Sequence, residues 1–596
     1  MFSYIFIHSL DFVNLIGFII RRTKIGRLFF LNNNVSSILT SFFLRRVSFT
    51  QINFGNSPHS YFKKEKYKYI IADRLFNGSR FISAVTSILK PLNLPSEKLI
   101  TSLKKDLISR LEMDAQIIAL SDEICKEKKS KYVVVTEYGI LGDTIGKDKK
   151  LLKKILLQYL IKQYLIIFYK VFSCLRLLLR KEQSFHELEG IKYVFEQLYS
   201  YRYGENPEFE AFYNYFKNRD DILYICTSKD SEIYKTLKDE GKHVIARNQI
   251  YISKDVKWKQ FKLLCIFCLR TIFSSRLKSP ILKISLLNVF YHQLYFRALF
   301  RTFKPLYYLK VRSDMGAYSP IVTAIAEKCN VKHIGYMCGA YNFFNSQLAH
   351  IDFHHYGLFG RWFQSELFKN YWPKETETHY HILGPITVET GECCYAVEKK
   401  KQIFTISLFT TTTSNDIWMN DDFYDFFIEE ACSALSESDL RDYQVLFKEK
   451  YFDKRRRDII NATCYKYKLV GQIVYHSSIP GYLVRRPIEV IEDSDIVIVM
   501  GSTTTAFEAL GKMKKMIIVE QEWLSHPFEK YLKKIVVKNR EQLRTSLSWL
   551  VDISQERYEE KIQELIENCS KVADGNLAKY FFEAIEKVDK QENVRP

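Results

Sequence analysis

The feature that most constrains the fold is a repeated alternation of short, β-branched apolar runs with longer helical stretches. The alternation is densest in two series, residues 303–386 and 402–523. Strands that alternate with helices form parallel sheets with helices on both faces. At 596 residues the chain is also too long for a single hydrophobic core. We therefore predict an α/β fold of two Rossmann-like domains that meet near residue 390.

The two predicted domains differ in charge. The first, residues 1–390, contains helical insertions at about 149–181 and 256–301, and the second, residues 391–596, ends in closing helices. The stretch 149–181 has nine Lys or Arg and no acidic residue, and 256–313 has 12 and none, within a chain of net charge +20. Large apolar side chains are interleaved with these basic residues. The insertions are therefore predicted to be basic, apolar helices.

Three interpretations of such helices are compatible with the sequence. An anionic membrane surface would attract them, at ~1 kcal/mol for each Lys or Arg near the surface. Alternatively, the helices are buried and their basic residues reach out to water. Nucleic acid is the weakest of the three, because no helix-turn-helix, RNA-binding or zinc-finger pattern accompanies the charge. We therefore predict a peripheral contact with an anionic membrane surface and no nucleic-acid partner.

Two apolar stretches are long enough to raise the question of a membrane span. Residues 4–20 contain His8 and Asp11 and have no basic segment before them, and three basic residues interrupt 155–179. Each of these three basic residues would cost ~3 kcal/mol at the bilayer centre. We predict neither a spanning helix nor a cleaved signal peptide. The 12 scattered cysteines are interpreted as free thiols, which favours the cytoplasm as the compartment. We therefore expect the protein at the inner face of the cytoplasmic membrane.

The segment 495–510, DIVIVMGSTTTAFEAL, is the most informative for chemistry. A β-branched strand runs into Gly501, and Ser502, Thr503 and Thr504 then open a helix. Glycine allows a tight turn, and hydroxyl side chains cap free N–H groups at a helix start. The same place, at the carboxyl end of a strand, is also suited to a phosphate. Simple helix capping and nucleotide binding are both open at this point.

A wider pattern around this segment resembles the donor site of GT-B glycosyltransferases that build bacterial capsule and lipopolysaccharide glycans. Asp495, Gly501, Ser502, Glu508 and Gly511 fall on the positions of that motif, as do Thr503 and Ile517. A glycine loop at 336–342, a short strand ending in glycine at 358–360 and an ILGP turn precede it in the expected order.

The resemblance implies a GT-B fold, in which the two domains face a central cleft. The first domain would bind a glycan or glycolipid acceptor and the second a nucleotide-sugar donor. Because the nucleotide-sugar is a substrate, no cofactor is expected. The implied function is sugar transfer in cell-surface polysaccharide biosynthesis. A sugar-nucleotide epimerase of the same architecture and a non-catalytic scaffold of the same fold are the alternatives.

Donor-site residues follow from the motif and its departures from the family. Gly339 lies in Met337-Cys338-Gly339, where many relatives have Gln-His-Gly. The strand that commonly ends in His-Pro instead reads FKEKYF, so Lys448 or Lys450 is predicted to supply positive charge to the phosphate. Glu508 is a candidate for contact with the donor ribose or sugar, or a carboxylate that complements the helix dipole.

An inverting transferase also needs a base that deprotonates the acceptor hydroxyl. Asp314, Glu137 and His8 each stand at a predicted strand end and are alternatives for this role. No paired carboxylates end a strand in the manner of a metal-dependent transferase, since Asp421-Asp422 precedes a helix. We therefore predict catalysis without metal, with the leaving phosphate held by lysine and a helix N-terminus.

Overall fold

The structure is a computed structural model of the chain. It describes residues 2–10, 25–33, 48–51, 86–88, 90–92, 94–110, 132–135, 149–182, 185, 188, 190–196, 207–272, 280–310, 318–337, 351–368, 378–389, 403–411, 421–438, 440, 442–450, 452–475, 483–501, 503–522 and 526–594. The N-terminal strands form a four-stranded parallel sheet in the order β3-β2-β1-β4. They are β1 (Phe2–Leu10), β2 (Ile25–Asn33), β3 (Ser48–Gln51) and β4 (Tyr132–Val135).

The first of two larger sheets has seven parallel strands. They are β5 (Tyr193–Glu196), β6 (Ile222–Cys226), β7 (Val244–Ala246), β8 (Tyr307–Lys310), β9 (Lys332–Tyr336), β10 (His355–Leu358) and β11 (His379–Ile382). Their order in space is β11-β10-β9-β8-β5-β6-β7. Strands β5 and β6 are buried along their whole length, as expected for a parallel sheet covered on both faces. Strand β5, a run of four residues, was not predicted from the sequence.

Seven helices accompany this sheet in the described part of the chain. They are α1 (Ser96–Arg110), α2 (Lys149–Leu178), α3 (Pro207–Phe216), α4 (Glu232–Asp239), α5 (Lys254–Ile272), α6 (Pro280–Phe303) and α7 (Ser319–Lys328). Helix α6 is central, because it packs against α1, α2, α5 and α7. Its Leu287, Phe290 and Leu299 are fully buried. The basic insertions of the sequence are thus α2, α5 and α6. Among the described residues, no helix is both long and apolar enough to cross a membrane.

The second seven-stranded sheet is also parallel throughout. Its strands are β12 (Phe404–Phe409), β13 (Tyr443–Glu449), β14 (Gly471–Tyr475), β15 (Leu483–Val484), β16 (Ile496–Met500), β17 (Lys515–Val519) and β18 (Val536–Val537). Their order is β15-β14-β13-β12-β16-β17-β18. The helices around it are α8 (Asp421–Ser436), α9 (Lys454–Tyr467), α10 (Pro487–Asp493), α11 (Thr504–Gly511), α12 (Arg540–Asp552) and α13 (Gln555–Cys569). Two parallel sheets with flanking helices confirm the predicted α/β class with two Rossmann-like units.

The last helix, α14 (Leu577–Val594), packs on the first sheet although it follows the second in sequence. Its Phe582 ring lies 5.9 Å from Tyr193 and 6.0 Å from Phe212, both of the first unit. Near its end, Asp589 accepts a hydrogen bond of 2.9 Å from the hydroxyl of Tyr307. These contacts tie the end of the chain to the first sheet. The predicted domain boundary at residue 390 falls outside the described residues and stays a prediction.

Candidate functional site

Each large sheet has one place where the strand order reverses. In the second sheet β12 lies between β13 and β16, and from there the chain builds outward in both directions. In the first sheet β5 lies between β6 and β8 in the same way. Ligands of open parallel sheets bind in the crevice beyond the carboxyl ends of the strands at this reversal. The two carboxyl edges are therefore the parts of the molecule in which a site is expected.

An ion pair joins these two edges. Glu210 lies in the first turn of α3, the helix that follows β5, so it belongs to the carboxyl edge of the first sheet. Arg486 directly precedes α10, just beyond β15, at the carboxyl edge of the second. Its guanidinium donates a hydrogen bond of 3.1 Å to the Glu210 carboxylate. Burial raises the pKa of Glu210, and Arg486 opposes that shift. The carboxyl edges of the two sheets therefore meet.

At the edge of the second sheet, Gly501 follows β16 directly and Thr503 precedes α11, in the order that the sequence predicts. Gly501 takes a φ of 65°, in the left-handed region that glycine tolerates best. Thr503 is the N-cap of α11, yet its side chain makes no capping hydrogen bond. Asp495 accepts a hydrogen bond of 2.7 Å from the backbone N–H of Thr405 and so fixes the start of β16 against β12. The hydroxyl of Thr503 is thus not engaged as a cap.

Lys448 lies near the end of β13. This strand pairs with β12 on the side opposite to β16. Phe409 of β12 stands in register with both Lys448 and Val499 of β16, so the lysine lies about 10 Å across the sheet from β16. The side chain is 3% exposed. Burial lowers the pKa of Lys448 to about 7, although Glu449 and Glu489 oppose that shift. Its ammonium donates to the backbone carbonyl of Glu449 at 3.3 Å.

Lys450 and Glu508 occupy different environments. Lys450 is exposed immediately after β13. Glu508 is buried in α11, and its carboxylate accepts a hydrogen bond from the hydroxyl of Thr387, in the segment that follows the first sheet. Burial raises the pKa of Glu508, which the bond from Thr387 partly offsets. Glu508 therefore connects α11 to the segment between the two units, and its contact with a donor stays a prediction.

The structure brings some predicted residues together and leaves others outside its description. Gly501, Thr503, Thr504, Lys448 and Lys450 all lie at the carboxyl edge of the second sheet. His8 lies in β1, within the four-stranded sheet and outside both large sheets.

Four further predicted residues lie outside the described part of the chain: Ser502, Gly339, Asp314 and Glu137. The identity of the base stays a prediction.

At the edge of the first sheet the structure shows a charged cluster that was not predicted from the sequence. Glu196 ends β5 and is 1% exposed. Its carboxylate accepts hydrogen bonds from the hydroxyls of Tyr308 and of Tyr295, the latter at 3.2 Å. The guanidinium of Arg247, directly after β7, lies 3.4 Å from Glu196 and 4.7 Å from the Tyr295 ring centre. Lys310 ends β8, so the cluster stands at the strand reversal.

Burial and charge shift the titration of these groups. Burial disfavours the charged form of Arg247, but Glu196 and the surrounding tyrosines, Tyr295, Tyr291 and Tyr308, together outweigh it and raise the arginine pKa above its usual value. Burial lowers the pKa of Lys310, and Arg247 lowers it further while Glu196 opposes. His292, on α6, has its pKa lowered well below the usual value by burial and then by the charges of Arg247, Lys310 and Lys170. No group of three or more metal-ligating side chains occurs among the described residues.

The sequence matches no protein-family model and no curated protein. It is similar to several solved structures, each covered almost completely. They include a glycosyltransferase from Rickettsia africae (16% identity, 68% of this chain, 99% of that chain, TM-score 0.38), UDP-GlcNAc 2-epimerase from Neisseria meningitidis bound to UDP-GlcNAc (11%, 66%, 100%, 0.41) and Anabaena HepE in complex with UDP and glucose (9%, 67%, 100%, 0.39). At these identities and TM-scores, the assignment of the fold depends on the topology of the two sheets.

Proposed function

We propose that the chain is a glycosyltransferase that moves a sugar from a nucleotide-sugar to a glycan or glycolipid acceptor, in the assembly of a bacterial cell-surface polysaccharide. One observation carries the proposal. At the strand reversal of the second sheet, a glycine turn, a helix N-terminus whose N-cap hydroxyl makes no cap bond and a buried lysine stand on one edge. A nucleotide diphosphate needs such an arrangement of donors.

Lys448 is suited to a leaving group whose negative charge grows during the reaction. With a pKa of about 7, its amine is only partly protonated near neutral pH. An approaching phosphate raises the pKa of a neighbouring lysine, because opposite charges favour each other's ionised forms. The lysine would thus become fully charged in the complex. Together with the N–H groups at the start of α11, it would stabilise the leaving diphosphate without a metal ion.

The first unit would present the acceptor, and two of its helices favour a membrane surface as its source. On α2, Leu165, Phe168, Tyr169 and Phe172 recur at a helical spacing, and each is 63–66% exposed. On α5, which packs against α2, Trp258 and Leu269 are 63% and 58% exposed. These two exposed rows are called the apolar face below. Contiguous exposed apolar surface of this kind marks an interaction site.

Basic side chains accompany the apolar face. The ammonium of Lys262 lies 5.4 Å from the centre of the Trp258 ring, and that of Lys170 lies 5.9 Å from the Tyr169 ring. Lys259 and Arg270 are exposed on α5, and the sequence from 256 to 313 contains no acidic residue. Apolar side chains flanked by lysine and arginine suit the interface of an anionic bilayer. The face would bring the acceptor edge to a lipid-borne substrate.

The test combines a product assay with a vesicle assay. A transferase releases a free nucleotide only when an acceptor is present, whereas an epimerase returns an altered nucleotide-sugar without acceptor, and a scaffold does neither. The protein should also sediment with vesicles that contain phosphatidylglycerol, and salt should release it. Substitution of Phe168 and Phe172 by serine should weaken sedimentation with these vesicles. Tyr465→Ser, at an aromatic side chain that is 89% exposed on α9 of the second unit, is the matched surface change and should leave sedimentation unaltered.

A further inference from the structure

A buried hydrogen-bond network adjoins Lys448 at the end of β13. The next residue, Glu449, is 1% exposed, and its carboxylate accepts a hydrogen bond of 2.8 Å from the hydroxyl of Tyr424 on α8. The same carboxylate accepts a bond of 3.3 Å from the guanidinium of Arg456, in the first turn of α9. That guanidinium lies 4.4 Å from the centre of the Tyr424 ring, and Arg456 is only 6% exposed. The network therefore joins the end of β13 to two helices.

Arg456 also holds the chain where β12 ends. Its Nη1 donates a hydrogen bond of 2.9 Å to the backbone carbonyl of Thr411. The preceding residue, Thr410, donates two bonds of 3.2 Å, from its backbone N–H and its hydroxyl, to the carbonyl of Lys448. One guanidinium thus connects the segment after β12 to the Glu449 carboxylate, and Thr410 connects the same segment to the main chain of β13. These contacts fix the ends of β12 and β13 to each other, and together they are called the clamp below.

The position of the clamp in the sheet relates it to the donor site. Strand β12 is the one at which the order of the second sheet reverses, between β13 with Lys448 and β16, which Gly501 follows. Ligands of open parallel sheets occupy the crevice beyond such a reversal. The first residues after β12, Thr410 and Thr411, stand there between the lysine and the glycine turn, and both are half-buried. The main chain that the clamp holds therefore borders the proposed donor site.

We propose that Arg456 is a positioning residue of the donor site, which fixes the main chain at Thr410 and Thr411 before a nucleotide-sugar binds. This inference rests on the proposed transferase function, because it concerns the same edge of the second sheet. Arginine suits the role, since its rigid, planar fork of donors can serve a carboxylate and a carbonyl at once. A segment that is already ordered need not lose conformational entropy when the ligand binds. Arg456 thus raises the affinity for the donor through the main chain, without a contact of its own.

The burial of the clamp decides which variants can test it. Burial raises the pKa of Glu449, and the bonds from Tyr424 and Arg456 oppose that shift. Removal of Arg456 alone would leave this carboxylate buried without its counter-charge, which is strongly destabilising. The double variant Glu449→Gln/Arg456→Met removes both charges together, and the glutamine oxygen still accepts a bond from Tyr424. The second variant, Arg456→Lys, keeps Glu449 and its counter-charge but lacks the planar fork.

The experiment titrates CMP, UDP, GDP and CDP calorimetrically into wild type and both Arg456 variants. For the nucleotide that binds wild type, the dissociation constant of each variant should rise roughly tenfold, or about 1.4 kcal/mol, while the binding stoichiometry stays the same. A merely structural role would have the opposite signature, because misfolded molecules lower the stoichiometry and leave the dissociation constant unchanged. Hydrogen exchange of the Thr410 amide should also be faster in both variants, and saturating nucleotide should slow it again.

Two controls match the variants. Arg455→Met removes the neighbouring arginine, which connects α9 to α8 by an exposed bond of 2.7 Å to Asp425, and Lys235→Met removes an exposed lysine on α4. Neither control should change the dissociation constant or the stoichiometry.

The outcomes separate this inference from the proposed function. The positioning role is wrong if the Arg456 variants bind nucleotide as tightly as Arg455→Met, or if only their stoichiometry falls. If the double variant does not fold, Arg456→Lys decides alone. Wild-type protein that binds none of the four nucleotides would contradict the proposed function, and the inference with it.

Discussion

The two carboxyl edges have the same topology but are assembled in different ways. At the second sheet, the turn at Gly501, the N-cap Thr503 and the helix that follows are contiguous in sequence. At the first sheet, Glu196, Arg247 and Lys310 come from three strand ends separated by more than fifty residues each. The second edge is a local motif, and the first is a set of long-range contacts. A local motif can be predicted from the sequence. A site that is built from long-range contacts can be identified only when the order of the strands in the sheet is known.

The largest expected effect concerns the second edge. Lys448→Met should lower turnover by roughly 10²–10³-fold, the usual cost of removing one group that stabilises charge in the transition state. Asp421→Ala, an exposed acidic residue at the start of α8, is the control and should have little effect. Steady-state release of nucleotide measures both. Activity should persist in excess EDTA, and loss of activity that magnesium or manganese restores would contradict the metal-independent account.

The next effect tests whether the turn binds a nucleotide or only begins a helix. Replacement of Ser502 and Thr503 together by alanine should weaken nucleotide binding by ~1–3 kcal/mol while the fold survives. Since Thr503 makes no side-chain cap bond, its loss should cost the helix little. Calorimetric titration gives the affinity and thermal unfolding the stability. A fall in stability with unchanged affinity would assign these hydroxyls to capping.

A smaller effect concerns the ion pair that holds the two edges together. Arg486→Ala leaves the half-buried Glu210 without its partner across the cleft, and should lower the free energy of unfolding by about 1–3 kcal/mol. Arg455→Ala, which breaks an exposed pair with Asp425 inside the second unit, should cost less than about 1 kcal/mol. Urea unfolding monitored by tryptophan fluorescence measures both. Equal effects of the two substitutions would argue against a structural link between the edges.

The pH dependence of nucleotide binding should be the smallest effect. The lowered pKa of Lys448, about 7, means that the free protein loses the lysine charge as pH rises through that value. The unbound ammonium is intact below pH 7, so affinity should be highest there and decline above it. In Lys448→Met the decline should disappear. An identical pH profile in the variant would place the titrating group elsewhere.

The class of fold was predictable because five strands of the second sheet, β12, β13, β14, β16 and β17, are short runs rich in apolar residues, whereas the two-residue strands β15 and β18 were not predicted. IVIVM of β16 and KMIIV of β17 pair in register, and both are predicted strands. Strand β5, YVFE, was not predicted from the sequence, and Glu196 at its end was therefore missed. The partners of that carboxylate lie on α6, β8 and the segment after β7, and no local spacing links them. Likewise, Glu508 matched a family motif, yet only the structure shows its bond to Thr387.

The most direct test of the central claim is a titration of CMP, UDP, GDP and CDP against wild-type protein and Lys448→Met. We predict that one nucleotide binds wild type, raises its melting temperature, and binds the variant at least roughly tenfold more weakly at pH 6.5. Lys235→Met should bind it as wild type does. The account would be contradicted if none of the four nucleotides binds, or if the one that binds has the same affinity for Lys448→Met.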